Sequence, residues 1–141
     1  MKLNFKPEIV VLYCQHCVSK SADMKKNQNE TSGVKTRFLM MPCSSKVEPS
    51  HVLKILAEGA DGVQVVGCKS EDCRFLVGSM MAEKRIEHVR QLLEWIRMGA
   101  ERTGMTRGEN LSYKEMLGIA EERAKAVMAL GPSPMKEIKV R

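Results

Sequence analysis

Aromatic residues are scarce: one Trp, two Tyr and three Phe among 141 positions. Few flat rings are therefore available to stack on nucleic-acid bases. Long hydrophobic runs are missing too. No apolar stretch approaches the ~20 residues that cross a bilayer as a helix, so no membrane insertion is expected. The opening segment Met1-Lys2-Leu3-Asn4-Phe5-Lys6-Pro7 leads into a short apolar run that Cys14 and Gln15 soon interrupt. It lacks the long apolar region and small-residue cleavage site of a secretory signal, and a cytoplasmic location is expected. There is no G-x-S-x-G, no Gly-rich phosphate loop and no paired carboxylates beside a histidine, so no catalytic set emerges. Gly59-Ala60-Asp61-Gly62 reads as a helix-to-strand turn, not a nucleotide fingerprint.

What the chain does contain is a hydrophobic fraction of 43%, with eleven Met. That is enough for a core of Val, Ile, Leu and Met in one compact domain. The formal net charge is +6. The Lys and Arg are nonetheless spread along the chain and interleaved with Asp and Glu. The one tight basic pair of the first half, Lys25-Lys26, lies in a polar stretch. Such a pattern fits a solvated surface, or a docking face for an acidic protein, better than a nucleic-acid site.

Glu8 to Tyr13 is a near-continuous apolar run rich in β-branched residues, as in a strand buried on both faces of a parallel sheet. Val18 to Lys26 has the length of one short helix, and Asn27 to Gly33 is polar turn material. A second strand is predicted over Arg37 to Met41. Pro49, the apolar face Val52, Leu53 and Leu56, and the exit at Gly59 mark a helix. Gly62 to Gly67 is a third strand. Ile86, Val89, Leu93 and Ile96 then recur on one helical face.

Gly99 to Asn110, broken by three glycines, reads as a linker or loop. Ser112 to Glu115 is a capping box opening a last helix through Ala120, Ala124 and Val127 to Leu130, and Gly131-Pro132 stops it. The tail from Ser133 is expected to be extended or disordered in the isolated chain. Alternating strands and helices predict an α/β fold. It is a three-layer, open, mainly parallel sheet of three to four strands, flavodoxin- or Rossmann-like, over residues 1–98. Residues 99–141 are expected to form a helical extension packing on the same domain or on a partner.

Five cysteines fall in three groups, Cys14-x-x-Cys17, Cys43 and Cys68-x4-Cys73, each directly after a predicted strand. An odd number argues against a fully paired disulfide framework, and a reducing compartment favours metal or redox chemistry. Parallel strands deliver all three carboxyl ends to one edge, where α/β proteins bind ligands. Groups separated by 25 and 24 residues can therefore converge.

Four thiolates suit a [2Fe–2S] or [4Fe–4S] cluster, and helix N-termini after each strand stabilise negative charge there. Structural zinc accepts the same ligands, though usually as paired short-spaced knuckles. A thioredoxin-like dithiol at Cys14 and Cys17 is a further reading, but it leaves Cys43, Cys68 and Cys73 without a role. Any single cysteine can be a small buried hydrophobe, and so can Met40, Met41, Met80 and Met81. His16 reads as an exposed loop residue, and Glu71 and Asp72 as caps of the following helix.

The segments EIVVLYCQHCVSKSAD, FLMMPCSSKVEPSHVLKILAEGADGVQVVGC and DCRFLVGSMMAEKR resemble the delta, iron–sulfur subunit of methyl-viologen-reducing hydrogenase. They cover the first two-thirds of the chain, and all five cysteines fall on that family's pattern. The resemblance implies a [2Fe–2S] protein with Cys14, Cys17, Cys43, Cys68 and Cys73 at the cluster, four of them as ligands. It implies docking on a heterodisulfide-reductase-A-like flavin and iron–sulfur protein. Electrons would pass between that flavoprotein and a hydrogenase, formate dehydrogenase or other oxidoreductase module, with no turnover by this chain itself. Assemblies of this kind are associated with anaerobic metabolism and electron bifurcation. Two departures stand out. Cys68-Lys69-Ser70-Glu71-Asp72-Cys73 replaces the usual Cys-His-x-Gly-Asp-Cys, and the stretch from Arg97 to Leu111 replaces the family's fourth strand.

Overall fold

Seven residues, Glu8–Cys14, form the central strand β1, and the whole sheet is arranged about it. The structure, a computed structural model, describes residues 6–14, 17–19, 30–31, 34–41, 47–67 and 78–135. The remaining strands are β2 (Glu30–Thr31), β3 (Val34–Met41), β4 (Gly62–Gly67) and β5 (Thr103–Arg107). The helices are α1 (Pro49–Ala57), α2 (Gly78–Trp95) and α3 (Tyr113–Met128).

The strand order is β2-β3-β1-β4-β5. Four strands are parallel, and only the two-residue β2 runs antiparallel, against the start of β3. The chain leaves β1 towards β3 on one side and later crosses to β4 on the other. The carboxyl ends of β1 and β4 are therefore the topological switch point of a doubly wound sheet.

Burial on both faces explains the unbroken apolar character of β1. Ile9, Val11 and Tyr13 pack under α3 with Met116, Ala120, Ala124 and Val127. Val10 and Leu12 face the other layer, with Val52 and Leu56 of α1 and Ala82, Ile86, Val89 and Leu93 of α2. Pro49 occupies the first turn of α1, where its missing N–H has no helical partner to lose. Ser112 caps α3 as expected: its hydroxyl accepts from Glu115 N at 3.1 Å, and the Glu115 carboxylate accepts from Ser112 N at 3.3 Å.

Several expectations are corrected. The glycine-rich stretch Gly99 to Asn110 is not a loop: it holds a 3₁₀ turn at Ala100–Arg102 and then β5, the fourth parallel strand. Thr103-Gly104-Met105-Thr106-Arg107 does not look like a strand because it lies at the sheet edge, where Met105 packs on the core but the face of Gly104 and Thr106 meets polar partners. Gln64 of β4 donates to Thr106 Oγ1 at 2.7 Å, and Arg123 Nε of α3 donates to Gln64 Oε1 at 2.8 Å. A Cβ on Gly104 would sit 2.0 Å from Arg123 Nη2, so the glycine there makes room for a guanidinium.

Ile96 is not on the core face. The helix α2 stops at Trp95, Arg97 turns left-handed at φ 62°, and Ile96 is 61% exposed. The polar segment from Asn27 contains the short strand β2. Met41 fills the core, whereas Met40 and Met81 are exposed. Ser133, expected in a loose tail, is buried and donates its N–H to Asp61 Oδ1 at 2.8 Å. The helix expected over Val18 to Lys26 does not begin at Val18, which instead forms a β-bridge with Leu111; residues 20–26, the side chain of Met80 and the chain from residue 136 onward lie outside the described residues.

Candidate functional site

The edge that holds the site is set by register. Cys14, the last residue of β1, is paired with Met41, the last of β3, and Tyr13 is paired with Val66 of β4. The ends of these three strands, Cys14, Met41 and Gly67, are thus level along one edge. In sequence, Cys43 is the second residue after Met41, and Cys68 directly follows Gly67. Cys43, Cys68 and Cys73, like His16, Glu71 and Asp72, lie outside the described residues.

Cys14 and Cys17 are drawn together by a turn in which Cys17 N–H donates to Cys14 O at 2.9 Å. Both are thiols, not a disulfide, and both are fully buried. The Cys17 thiol lies 3.8 Å from the Val66 carbonyl, a weak S–H···O contact onto the end of β4. They share their packing with Val66, Tyr13 and Met116. Tyr13 meets Phe38 edge to face at 6.4 Å between centroids, and Phe38 meets Tyr113 at 5.9 Å. Burial pushes the Tyr13 and Tyr113 hydroxyls above their ordinary pKa.

The segment between β5 and α3, which sequence reasoning did not connect to the cysteines, closes the same edge. Gly108 N donates to Gly67 O at 2.9 Å, Leu111 N to Cys17 O at 2.8 Å, and Ser19 N to Leu111 O at 2.7 Å. No local signal marks these bonds, because main-chain donors carry no residue identity.

A second polar cluster was also missed. Arg90, Arg107 and Arg123, from α2, β5 and α3, surround a concavity of about 360 Å³ with Glu83 and Glu87. Arg90 Nη1 donates to Thr103 O at 2.6 Å, Arg90 pairs with Glu101 at 3.3 Å, and Arg107 pairs with Glu83. Burial, then neighbouring Arg90, lowers the Arg123 pKa, which Glu101 and Glu122 partly restore. The arginines come from three elements, so their meeting leaves no pattern along the chain.

Among the described residues no group of three or more His, Cys, Asp or Glu side chains gathers as at a metal site. The two cysteines that are described adjoin one another at the switch point, each offering a sulfur donor. Two sulfurs are half of the four thiolates that a zinc or iron–sulfur centre takes. Among the same residues no helix is long and apolar enough to cross a membrane.

Taken together, a doubly wound α/β sheet with a paired-cysteine turn at its switch point places the chain among small open-sheet α/β domains, a class whose ligands bind at that edge of the sheet. Within that class, the chain belongs to the family described as methyl-viologen-reducing hydrogenase, delta subunit, whose family model matches residues 9–131. The match runs through β5 and α3, beyond the segments that carried the resemblance in sequence.

Among its relatives is the iron-sulfur subunit of the F420-non-reducing vhu hydrogenase of Methanocaldococcus jannaschii. It is 28% identical over 130 residues, covering 92% of this chain and 97% of that protein. The iron-sulfur subunit of the F420-non-reducing hydrogenase of Archaeoglobus profundus is 33% identical over 135 residues, 94% and 96% of the two chains. A different relative belongs to the ferredoxin/F(420)H(2)-dependent CoB-CoM heterodisulfide reductase of Methanosarcina acetivorans, as its A subunit. It is 31% identical over 96 residues, 68% of this chain but 12% of the reductase polypeptide. A segment similar to this chain is therefore a small part of that longer protein.

Proposed function

We propose that this chain is an electron-relay subunit that holds one [2Fe–2S] cluster at the carboxyl edge of its sheet and has no turnover of its own. Four of Cys14, Cys17, Cys43, Cys68 and Cys73 supply the thiolates. The observation that carries the reading is the level register of Cys14, Met41 and Gly67, the strand ends that all three cysteine groups adjoin in sequence. Relatives that are iron-sulfur subunits of hydrogenases support it.

When bound, the cluster supplies one-electron chemistry. The chain does the rest. Full burial of Cys14 and Cys17 keeps water from the sulfurs, and the Cys17-to-Cys14 turn sets their separation.

The proposed partner on one side is a heterodisulfide-reductase-A-like flavoprotein. A heterodisulfide reductase polypeptide carries a segment of this kind within its own chain, which supports pairing the two modules. On the other side stands a hydrogenase, formate dehydrogenase or other oxidoreductase module. The assembly belongs to the cytoplasm and to anaerobic metabolism of the kind associated with electron bifurcation. The net charge of +6 suits docking on acidic protein surfaces.

A thiol–disulfide oxidoreductase reading of Cys14 and Cys17 is disfavoured by their burial, since an attacking thiolate must reach its substrate. Zinc on the same thiols is separated by metal analysis. Protein purified without oxygen is expected to contain iron and sulfide in equal amounts, give an EPR signal on reduction and retain a flavoprotein partner. Stoichiometric zinc without iron discards the proposal.

A further inference from the structure

The five residues from Gly108 to Ser112 do more than connect β5 to α3. They are tied at both ends and to both neighbouring cysteine-bearing segments. Gly108 continues the β4–β5 ladder by one bond, its N–H reaching the carbonyl of Gly67, the residue before Cys68, at 2.9 Å. Three residues on, Leu111 forms an isolated parallel bridge with Val18, giving its N–H to Cys17 O at 2.8 Å and accepting Ser19 N–H at 2.7 Å. Ser112 then enters the capping box of α3, which fixes the far end. Asn110 takes a left-handed φ of 50°, a conformation asparagine tolerates.

The side chain of Leu111 packs against the core cluster that contains Cys14, Cys17 and Val66. It also lies across Gly108, where an added Cβ would come within 2.9 Å of Leu111 Cδ1 and 3.2 Å of Cδ2. Gly108 is therefore bare so that Leu111 can fold down over it. With two hydrogen bonds flanking the Cys17–Ser19 chain and an apolar side chain closing over it, the Cys17 turn cannot open without parting from Leu111.

We infer that Leu111, seated on Gly108, is a positioning residue that holds the Cys14–Cys17 turn closed and fixes where the Cys17 sulfur stands relative to the end of β4. The effect on a bound cluster rests on the function proposed above. The effect on the thiol does not, because a buried thiol reacts only through local opening of the segment that covers it.

The test uses Leu111→Ala, Gly108→Ala, the conservative Leu111→Ile and a control, Ile119→Ala. Ile119 is partly buried and packs against the same core, but lies on α3, outside the brace. In the reduced, metal-free full chain, alkylation of Cys17 by iodoacetamide is followed by mass spectrometry. Leu111→Ala and Gly108→Ala are expected to speed it about tenfold or more as the opening equilibrium shifts, Leu111→Ile to restore the slow rate, and Ile119→Ala to leave it slow. In iron-loaded protein, Leu111→Ala is expected to alter the EPR g-values and the midpoint potential at unchanged iron and sulfide content.

Equal alkylation rates in Gly108→Ala and the parent overturn the inference, whether or not Leu111→Ala folds. A speeding in Ile119→Ala equal to that in Leu111→Ala overturns it too, reducing the effect to general loss of packing. Faster alkylation in protein that never takes up iron supports the brace while refuting the cluster. Normal iron with unchanged alkylation and EPR refutes the brace while leaving the cluster standing.

Discussion

Two buried groups at the amino-terminal edge of the sheet, opposite the cysteines, hold the chain's crossings in place. The Asp61 carboxylate accepts from Glu8 N and from Ser133 N, each at 2.8 Å. The buried Arg102 guanidinium donates to the carbonyls of Met98, Asp61 and Gly131, each at 3.0 Å. Burial lowers the Arg102 pKa and the Asp61 charge partly restores it, so the two charges depend on each other. Removing the carboxylate with Asp61→Ala leaves a buried guanidinium uncompensated and two N–H groups without their acceptor. A loss of about 3–5 kcal/mol is expected in urea unfolding; a loss below about 1 kcal/mol contradicts the assignment.

Tyr13 offers a pH test at the same scale. Its hydroxyl is raised by burial, so above the ordinary pKa of about 10 the unfolded chain releases a proton that the folded chain keeps. Stability is full below that pH and falls as pH rises towards the raised folded-state pKa. Urea midpoints should drop across this alkaline range, and less steeply in Tyr13→Phe. Parallel curves for the two proteins would remove Tyr13 from the account.

At the scale of elements, what could be read along the chain depended on how each segment is buried. β1 and β4 were legible because strands in the middle of a parallel sheet are buried on both faces, β3 by its apolar run Phe38 to Met41 although much of it is exposed, and α3 because Ser112 and Glu115 form a capping box. β5 was not legible. Its glycine at 104 is a space for Arg123, its threonine at 106 a partner for Gln64, and its position at the edge removes the need for apolar residues on both sides. The same holds for the site: the cysteines announce themselves at the strand ends, whereas the Gly108–Ser112 brace is joined to them by main-chain bonds that no residue pattern marks. Gly104→Ala is expected to drive Arg123 off Gln64 and cost about 1–3 kcal/mol by overpacking, with Thr106 losing amide-exchange protection. Ser112→Ala should cost about 1 kcal/mol, the ordinary worth of an N-cap. Unchanged stability in Gly104→Ala would mean Arg123 is not seated as described.

For the whole molecule, the arrangement separates structural duty from the site. One end of the sheet is locked by Asp61 and Arg102, and the other presents the ends of three parallel strands, each ending on a cysteine or followed by one within two residues in sequence. The central claim is that those cysteines converge on a single metal centre. The direct test is a set of five single Cys→Ser variants, at positions 14, 17, 43, 68 and 73, produced without oxygen and studied by EPR after reduction. Loss or marked change of a [2Fe–2S] signal in four variants and its retention in the fifth is the predicted result. A signal that survives in Cys14→Ser, Cys17→Ser and Cys68→Ser alike would contradict it.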